Sequence, residues 1–467
     1  MQTQKNKKGK KGEFKMKRFL ALLLVVALAA CVPTPETPPV VNQNGVFEER
    51  ADTTIATEQD VMHDYTQETA SGSQYPHFEK EYVTRNGITI NLNADIIAPD
   101  AQFIPLVQVQ ACALTKEQIS TLIKSFLGDN NLYDASNGVP MAKEDISYSI
   151  QKMIDQLSLY EAQGDMDKAS ALSSTIEYLQ EKYNAASPLS ELQLRAFDQS
   201  SFGSSFSVMA RSERAGWAVF SIRDDPEYGL YNALYTNYGW NGCYTNHSDE
   251  GSTSLYRFAD SKLEDAYNLL QTLEITDMSL SRISYGFAYD YDTYVLSDNP
   301  ESVRFLFTRS INGIPQPHSG GYAWYEQFAL ENSADYNKPW QTEYITIEYD
   351  QHGLVSFSWF NPIEIKKVVN ENIEVIHLDQ ALEIFDYVID TFYSYFVNHD
   401  ENNWGDWTTT LNVTKIQFGY QFRRIKNEAD IYELVPCWIF YQNNSIILVL
   451  NAVDGTVFNS GLNTLGQ

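Results

Sequence analysis

The chain has 467 residues, 43% hydrophobic and 20% charged, so it carries material for more than one packed core and is not a disordered polymer. Its net charge of −28 opposes phosphate backbones and anionic lipid surfaces, which excludes nucleic acid as an expected partner. Four cysteines, Cys31, Cys112, Cys243 and Cys437, stand far apart without C-x-x-C spacing, which suggests neither a disulfide framework nor a zinc site.

The charge is uneven. Residues 1–18 hold eight Lys and Arg against Glu13 alone, a net +7, which leaves −35 for the rest. Met16 within this stretch is an alternative start. Phe19 to Ala30 is then an uncharged apolar run, too short to span a bilayer but fitting a secretory h-region. Leu28-Ala29-Ala30-Cys31 resembles the bacterial lipobox. The resemblance implies a signal peptide over 1–30, a thioether-linked diacylglyceryl on Cys31 and cleavage just before it. Two acyl chains hold a soluble domain at a membrane where one does not. The competing reading is plain secretion, because Ala27-Leu28-Ala29 also satisfies the A-x-A rule.

From Cys31 to about residue 75 the chain reads as a tether. Pro33, Pro35, Pro38 and Pro39 favour extended polyproline II, and polar, acidic, Thr-rich sequence follows. Folded structure is expected from about Tyr82. Ile88 to Ile96 alternates after the Asn86-Gly87 turn and predicts a strand of a hairpin. Phe103 to Ala111 predicts a second strand, placed at a sheet edge by Pro105. Thr115 and Gln118 form a capping box before the stripe Ile119, Leu122, Ile123, Phe126 and Leu127, with Gly128 at the stop. Lys143 to Asn184 predicts a helical hairpin broken at Gln163-Gly164-Asp165.

Trp217 to Ile222 predicts a strand, Asp224 to Ser254 an irregular stretch and Leu263 to Leu273 a short helix. A domain boundary is expected near Thr276, giving an N-terminal domain over 76–275 and a C-terminal one over 276–467. In the latter, Glu301 to Ile311 forms a hairpin through Asn312-Gly313. Thr342 to Tyr349 turns at Asp350–Gly353 into the alternation Val355, Phe357, Trp359. Asp379 is expected to cap a helix running to Phe396. Leu411 to Phe422, Tyr432 to Tyr441 and Ser445 to Ala452 then read as strands, with a tight turn at Asp454-Gly455. The fold class is α+β: antiparallel sheets with helices packed on one face, in two modules plus the helical hairpin.

Two stretches carry a wider resemblance. Phe307 to Pro315 with Glu348 to Trp359 and Asn361-Pro362 is one; Leu434 to Phe440 followed by Leu450 to Val457 is the other. With the lipobox they resemble uncharacterised lipoproteins of clostridial, gut-type bacteria. The C-terminal half also resembles PepSY-like and YycH/YycI-type extracytoplasmic modules. Neither resemblance brings catalytic residues to carry over.

Motifs for chemistry are few. Seven histidines stand singly, H-E-x-x-H and P-loop or G-x-G-x-x-G patterns are missing, and no cofactor or metal is expected. Ser204 and Ser205 lack a nucleophile-elbow context and read as a loop. Asp400 to Gly405 fails as a calcium loop, because Trp404 and Leu411 occupy ligand positions; Asp290, Asp292 and Asp298 read as a solvated acidic loop before a calcium site. Trp324, Tyr325, Trp340, Trp404 and Trp407 fall in expected loops, where they either bind a glycan or peptide or cover sheet ends. The expected function is a lipid-anchored, non-enzymatic protein that binds a peptide, protein or envelope ligand. The alternatives are a carboxylate-based surface hydrolase and a glycan-binding lipoprotein.

Overall fold

The computed structural model describes residues 77–98, 101, 103–198, 202, 205–212, 216–225, 230–237, 243–248, 251–290, 295–318, 342–393, 410–425, 431–442 and 445–459. It is an α+β protein with two mostly antiparallel sheets and, among the described residues, five α-helices.

The first sheet has eight strands: β1 (Phe78–Val83), β2 (Thr89–Ile97), β3 (Leu106–Ala111), β14 (Ile363–Asn370), β15 (Thr410–Arg424), β16 (Ile431–Gln442), β17 (Ser445–Asn451) and β18 (Val457–Asn459). Its main path runs β1-β2-β15-β16-β17-β18, and β3 pairs both β16 and β14. Among the described residues, only β2 and β15 run parallel, with Ile90 beside Leu411.

The second sheet takes the ten strands between them. These are β4 (Tyr133–Asp134), β5 (Phe206–Arg211), β6 (Trp217–Asp225), β7 (Leu230–Asn237), β8 (Cys243–Ser248), β9 (Met278–Asp290), β10 (Val295–Ile311), β11 (Ile314–Pro315), β12 (Tyr344–Asp350) and β13 (Gly353–Phe360). They order as β4-β5-β6-β7-β13-β12-β10-β9-β8, with β11 folded back on β10. The second sheet is thus an insertion into the first. Thr276, where a boundary was expected, lies between a helix and β9, and strands on both sides of it join one sheet.

The two crossings between the sheets lie side by side. Cys112 N donates to Pro362 O at 2.9 Å, and Leu114 N donates to the Tyr231 hydroxyl at 3.1 Å. Asn361, at φ +46°, exchanges two bonds with Tyr231: Asn361 N to Tyr231 O at 2.8 Å, and Tyr231 N to Asn361 Oδ1 at 3.0 Å. Asn tolerates the left-handed region where a β-branched residue does not.

Each sheet buries one face under helices. On the first, α5 (Leu378–Val388) stacks Phe385 on Phe440 at 4.5 Å above Ile90, Leu92 and Ile416. On the second lie α1 (Lys116–Leu127) and α4 (Thr253–Thr272). The expected capping box of α1 is formed, with Gln118 N donating to Thr115 Oγ1 and Thr115 N to Gln118 Oε1. Its Ile119, Leu122, Ile123 and Leu127 are buried, each contributing about 1.5–3 kcal/mol, so packing outweighs the cap at about 1 kcal/mol.

The helical hairpin forms where the spacing placed it, as α2 (Lys143–Gln163) and α3 (Met166–Ala185). Gly164 turns it at φ +76°, and Asp165 caps α3 by accepting from Lys168 N. Ile146, Met153, Leu172, Ile176 and Leu179 make a small core of its own. Its base is pinned to β5 by Asp145, which receives both Arg211 amino groups at 2.9 and 3.0 Å and Gly216 N at 3.1 Å.

Several expectations change. Residues 224–254 are not irregular: they contain β7, β8 and the start of α4, which begins ten residues earlier than read, behind Ser252. Ala233 and Tyr235 alternate into the core, a period hidden by the surrounding Tyr and Asn. Pro105 does not mark a sheet edge. It precedes β3, which has neighbours on both sides, and its carbonyl accepts the buried Tyr420 hydroxyl at 2.6 Å. The last helix is capped from His377, whose N–H meets Gln380 Oε1, while Asp379 sits in its first turn. That helix ends in a five-residue π turn, Ile389–Tyr393, and Phe396 lies outside the described residues.

Candidate functional site at the seam between the sheets

Where charge is buried decides what this fold can do. Two glutamates of β12 and its approach are almost fully enclosed, Glu343 and Glu348. Glu343 takes a bidentate contact from Arg309, Nε to Oε2 at 2.6 Å and Nη2 to Oε1 at 2.8 Å, and the Trp359 indole adds a bond at 2.8 Å. Arg309 also donates to Thr276 O at 3.0 Å. Burial alone would lower the guanidinium pKa, but Glu343 overrides it and holds the charge. Glu348 is met by Arg304 at 2.9 Å, Ser302 at 2.6 Å and Ser356 at 3.3 Å, a cross-strand row on β10, β12 and β13. Both carboxylates already accept strong donors from arginine, which ties them into the packing of the sheet.

A half-buried carboxyl lies on α5. Burial pushes Asp386 up to about 6, and Asp390 adds to the effect against Lys80. The Tyr82 hydroxyl donates to Asp386, and Asn86 donates its N–H to Asp390 Oδ1 and its side-chain amide to Asp390 O, both at 2.8 Å. These contacts clamp the β1–β2 hairpin onto the π turn.

The seam between the sheets is different. β10 ends in a tight turn, Asn312 at φ +50° and Gly313 at φ +76°, and its tip residues Ile311 and Ile314 enter the core of the first sheet. The chain then crosses β15 at Gly419. A Cβ there would stand 2.8 Å from Pro315 O and from the Pro317 ring, so only glycine allows the approach. β11 packs against both β9 and β15.

The elements that meet here carry basic side chains. Lys415 shares a face of β15 with Gly419, and its Nζ lies 3.9 Å from the ring centroid of Tyr441, its cross-strand partner. The Tyr441 hydroxyl donates to Gln417 at 3.3 Å. His318, just past β11, stands edge-on to Tyr344 at 4.7 Å, and Tyr344 stacks on Phe360 at 4.5 Å. Arg282 on β9 is exposed, and its charge reaches both other cations. Burial lowers the Lys415 and His318 pKa values, and Arg282 lowers both further. Between the two prolines sits Gln316, 1% exposed, with neither end of its amide bonded among the described residues.

Comparison with known proteins adds no argument about this chain. No family model and no curated protein matches the chain. A crystal structure of an uncharacterised protein from Eubacterium rectale aligns over 82% of this chain and 94% of its own, at 14% identity and a TM-score of 0.42. A likeness of that size carries nothing about chemistry.

The sequence-derived candidates lie elsewhere. Cys31, Trp324, Tyr325, Trp340, Trp404 and Trp407 are outside the described residues, as are Ser204, Asp292 and Asp400. Ser205 is exposed and exchanges two bonds with the Asp224 backbone, which ties the ends of β5 and β6. Cys437 is buried and Cys112 half-buried at the crossing, both as free thiols; burial pushes Cys112 up to about 11. No motif singled out Arg282, His318 or Lys415. The one legible signal was Gly419 within a strand pattern, which marks a close backbone approach.

Proposed function

We propose that this protein is an extracytoplasmic lipoprotein, held to the cell membrane by acyl chains on Cys31, that binds its ligand without transforming it. The observation that carries the anchor is the order of signals: a +7 segment, an uncharged apolar run, Leu28-Ala29-Ala30-Cys31, then a Pro-rich stretch. The first described strand, β1, forms an end of its sheet's main path, so the chain from Cys31 joins the fold at a margin. A binding rather than a catalytic role is supported by Glu343 and Glu348, which are bound up in ion pairs. The PepSY-like resemblance of β16 to β18 fits a regulatory role and supplies no catalytic group.

Cys31→Ser tests the anchor. Expressed in a bacterium that processes prolipoproteins and fed an alkyne-labelled fatty acid, the wild-type chain is expected to take up label and sediment with membranes. The variant is expected to lose both. Equal membrane retention of the two chains would refute the lipid anchor.

A further inference from the structure

We propose that the open edge of β14 is a docking site for an extended peptide that alternates apolar and acidic residues and adds to the first sheet as a further strand. The proposal names a ligand class for the binding role given above, so it rests on that role and not on the anchor.

Three observations carry it. The first is the edge itself. Among the described residues β14 pairs with β3 alone, so its other side keeps main-chain donors and acceptors that no strand has taken. An extended peptide satisfies such groups by pairing with them. The second is an apolar row that runs off this edge. Phe422 stands opposite Leu434, Leu434 opposite Val107, and Val107 opposite Val368. Directly opposed residues share a face of the sheet, and this is the face of the core. Leu434 and Val107 are buried, but Val368 is 48% exposed, and so is Ile365, which stands opposite the buried Val109.

The third is a polar row on the opposite face, one residue along. Arg423 donates to Glu433 at 2.6 and 3.1 Å, Gln108 donates to Glu433 at 3.4 Å, and Lys367 stands opposite Gln108. Lys366 is paired with Glu364, whereas Lys367 has no ion pair among the described residues. The row therefore ends at the open edge on a positive charge. An edge lysine can serve as a guard against unwanted pairing, but a guard does not account for the exposed Val368 and Ile365 beside it. Lys367 and Val368 are neighbours, so the residues that would face them on an added strand are neighbours too. One completes the polar row and is acidic; the other extends the apolar row. Bulges at Lys366 and Val369 bend the edge, which disfavours a second copy of β14 laid along it, whereas a short peptide follows the bend.

The test is calorimetric titration of the full chain in non-ionic detergent with a capped peptide of alternating Val and Glu. A peptide of the same composition in shuffled order and one of alternating Val and Lys form parallel arms. The Val–Glu peptide is expected to bind at least about tenfold more tightly than either. Lys367→Glu, at an exposed position, turns an attraction into a repulsion; it is expected to weaken the Val–Glu peptide about fivefold or more and to strengthen the Val–Lys peptide. N-methylation of alternate residues removes the donors from one edge of the peptide, so one of the two methylated sets is expected to abolish binding and the other to spare it. No binding of the Val–Glu peptide, or unchanged affinity in Lys367→Glu, would overturn the site. Equal binding of the shuffled peptide would overturn the ligand class, and equal behaviour of the two methylated sets would overturn strand addition. A dimer of the free chain that Val368→Lys dissolves would give the edge to a second copy and overturn the peptide as its occupant. Cleavage of the bound Val–Glu peptide, read by mass spectrometry, would uphold the site and overturn the non-enzymatic role. None of these outcomes changes where Cys31→Ser places the protein, so anchor and site fail separately.

Discussion

The interior of the second sheet and the seam beside it contain the same kinds of side chain arranged in opposite ways. Inside the sheet, Arg309 and Arg304 are each matched to a glutamate, and the remaining carboxylate lone pairs are met by Trp359, Ser302 and Ser356. At the seam, burial and then the Arg282 charge disfavour the charged forms of Lys415 and His318. The first arrangement is closed: its desolvation cost is offset within the chain, and removing either partner exposes that cost. In the second, Lys415 rests on the Tyr441 ring, and burial together with the Arg282 charge disfavours its ammonium. Buried charge that is complete within the chain speaks of stability.

The contrast predicts unequal consequences for deleting single charges. Glu343→Ala leaves Arg309 enclosed without its carboxylate and also strands the Trp359 N–H. A loss of about 3–5 kcal/mol is expected in urea unfolding, the cost of breaking a buried pair from one side. A loss below about 1 kcal/mol would show that Arg309 relaxes into water and that the pair is not closed.

Asp386 tests the same idea with the opposite charge. It is half-buried beside Asp390 and titrates near 6 in the fold against 3.8 ordinarily. Between those values the folded chain holds a proton that the unfolded chain has released. The stability tied to this group is therefore full below about 3.8 and is lost as pH rises toward 6. Asp386→Asn keeps an acceptor for Tyr82 and removes the charge. It is expected to raise stability by about 1 kcal/mol above pH 7, solvent at this half-open site having screened the rest, with no gain at pH 4. Urea midpoints of both chains from pH 4 to 8 read the difference. A gain that is flat across that range would mean the effect is packing and not charge.

What the sequence revealed follows the range of the interactions. The hairpin α2–α3 and the capping box of α1 were legible because each is settled within a few turns of chain. So was β2, whose Ile90, Leu92, Ala94 and Ile96 alternate into the core. β14 was missed because nearly all its residues are exposed, so it has no buried face to give a period. β7 was missed because Tyr and Asn fill it. The nesting of one sheet within the other rests on pairings such as Ile90 with Leu411 and Val107 with Leu434, to which local pattern is blind. The seam cations suffered most. Each is unremarkable alone, and their meaning arises from a crossing that Gly419 permits and the Asn312-Gly313 turn aims.

Lys415→Met gives the sharpest comparison because its expected effect on stability is the smallest. Two terms oppose each other. The lost contact between the ammonium and the Tyr441 face destabilises by about 0.5–1 kcal/mol. Against this, burial and Arg282 both disfavour the charged lysine, so replacing it with an uncharged chain of similar length relieves the fold. At pH 7 the net change in urea unfolding is expected to lie within about 1 kcal/mol of zero, while the loss at Glu343→Ala is several times larger. Because the lysine pKa is lowered, the relief is present at neutral pH and fades as pH rises through the folded pKa, where the wild-type side chain becomes neutral on its own. The same operation, erasing one enclosed charge, thus leaves one site nearly indifferent and cripples the other. A loss at Lys415→Met as large as that at Glu343→Ala would mean that the lysine is already paired within the chain, and the seam would be closed like the sheet beside it.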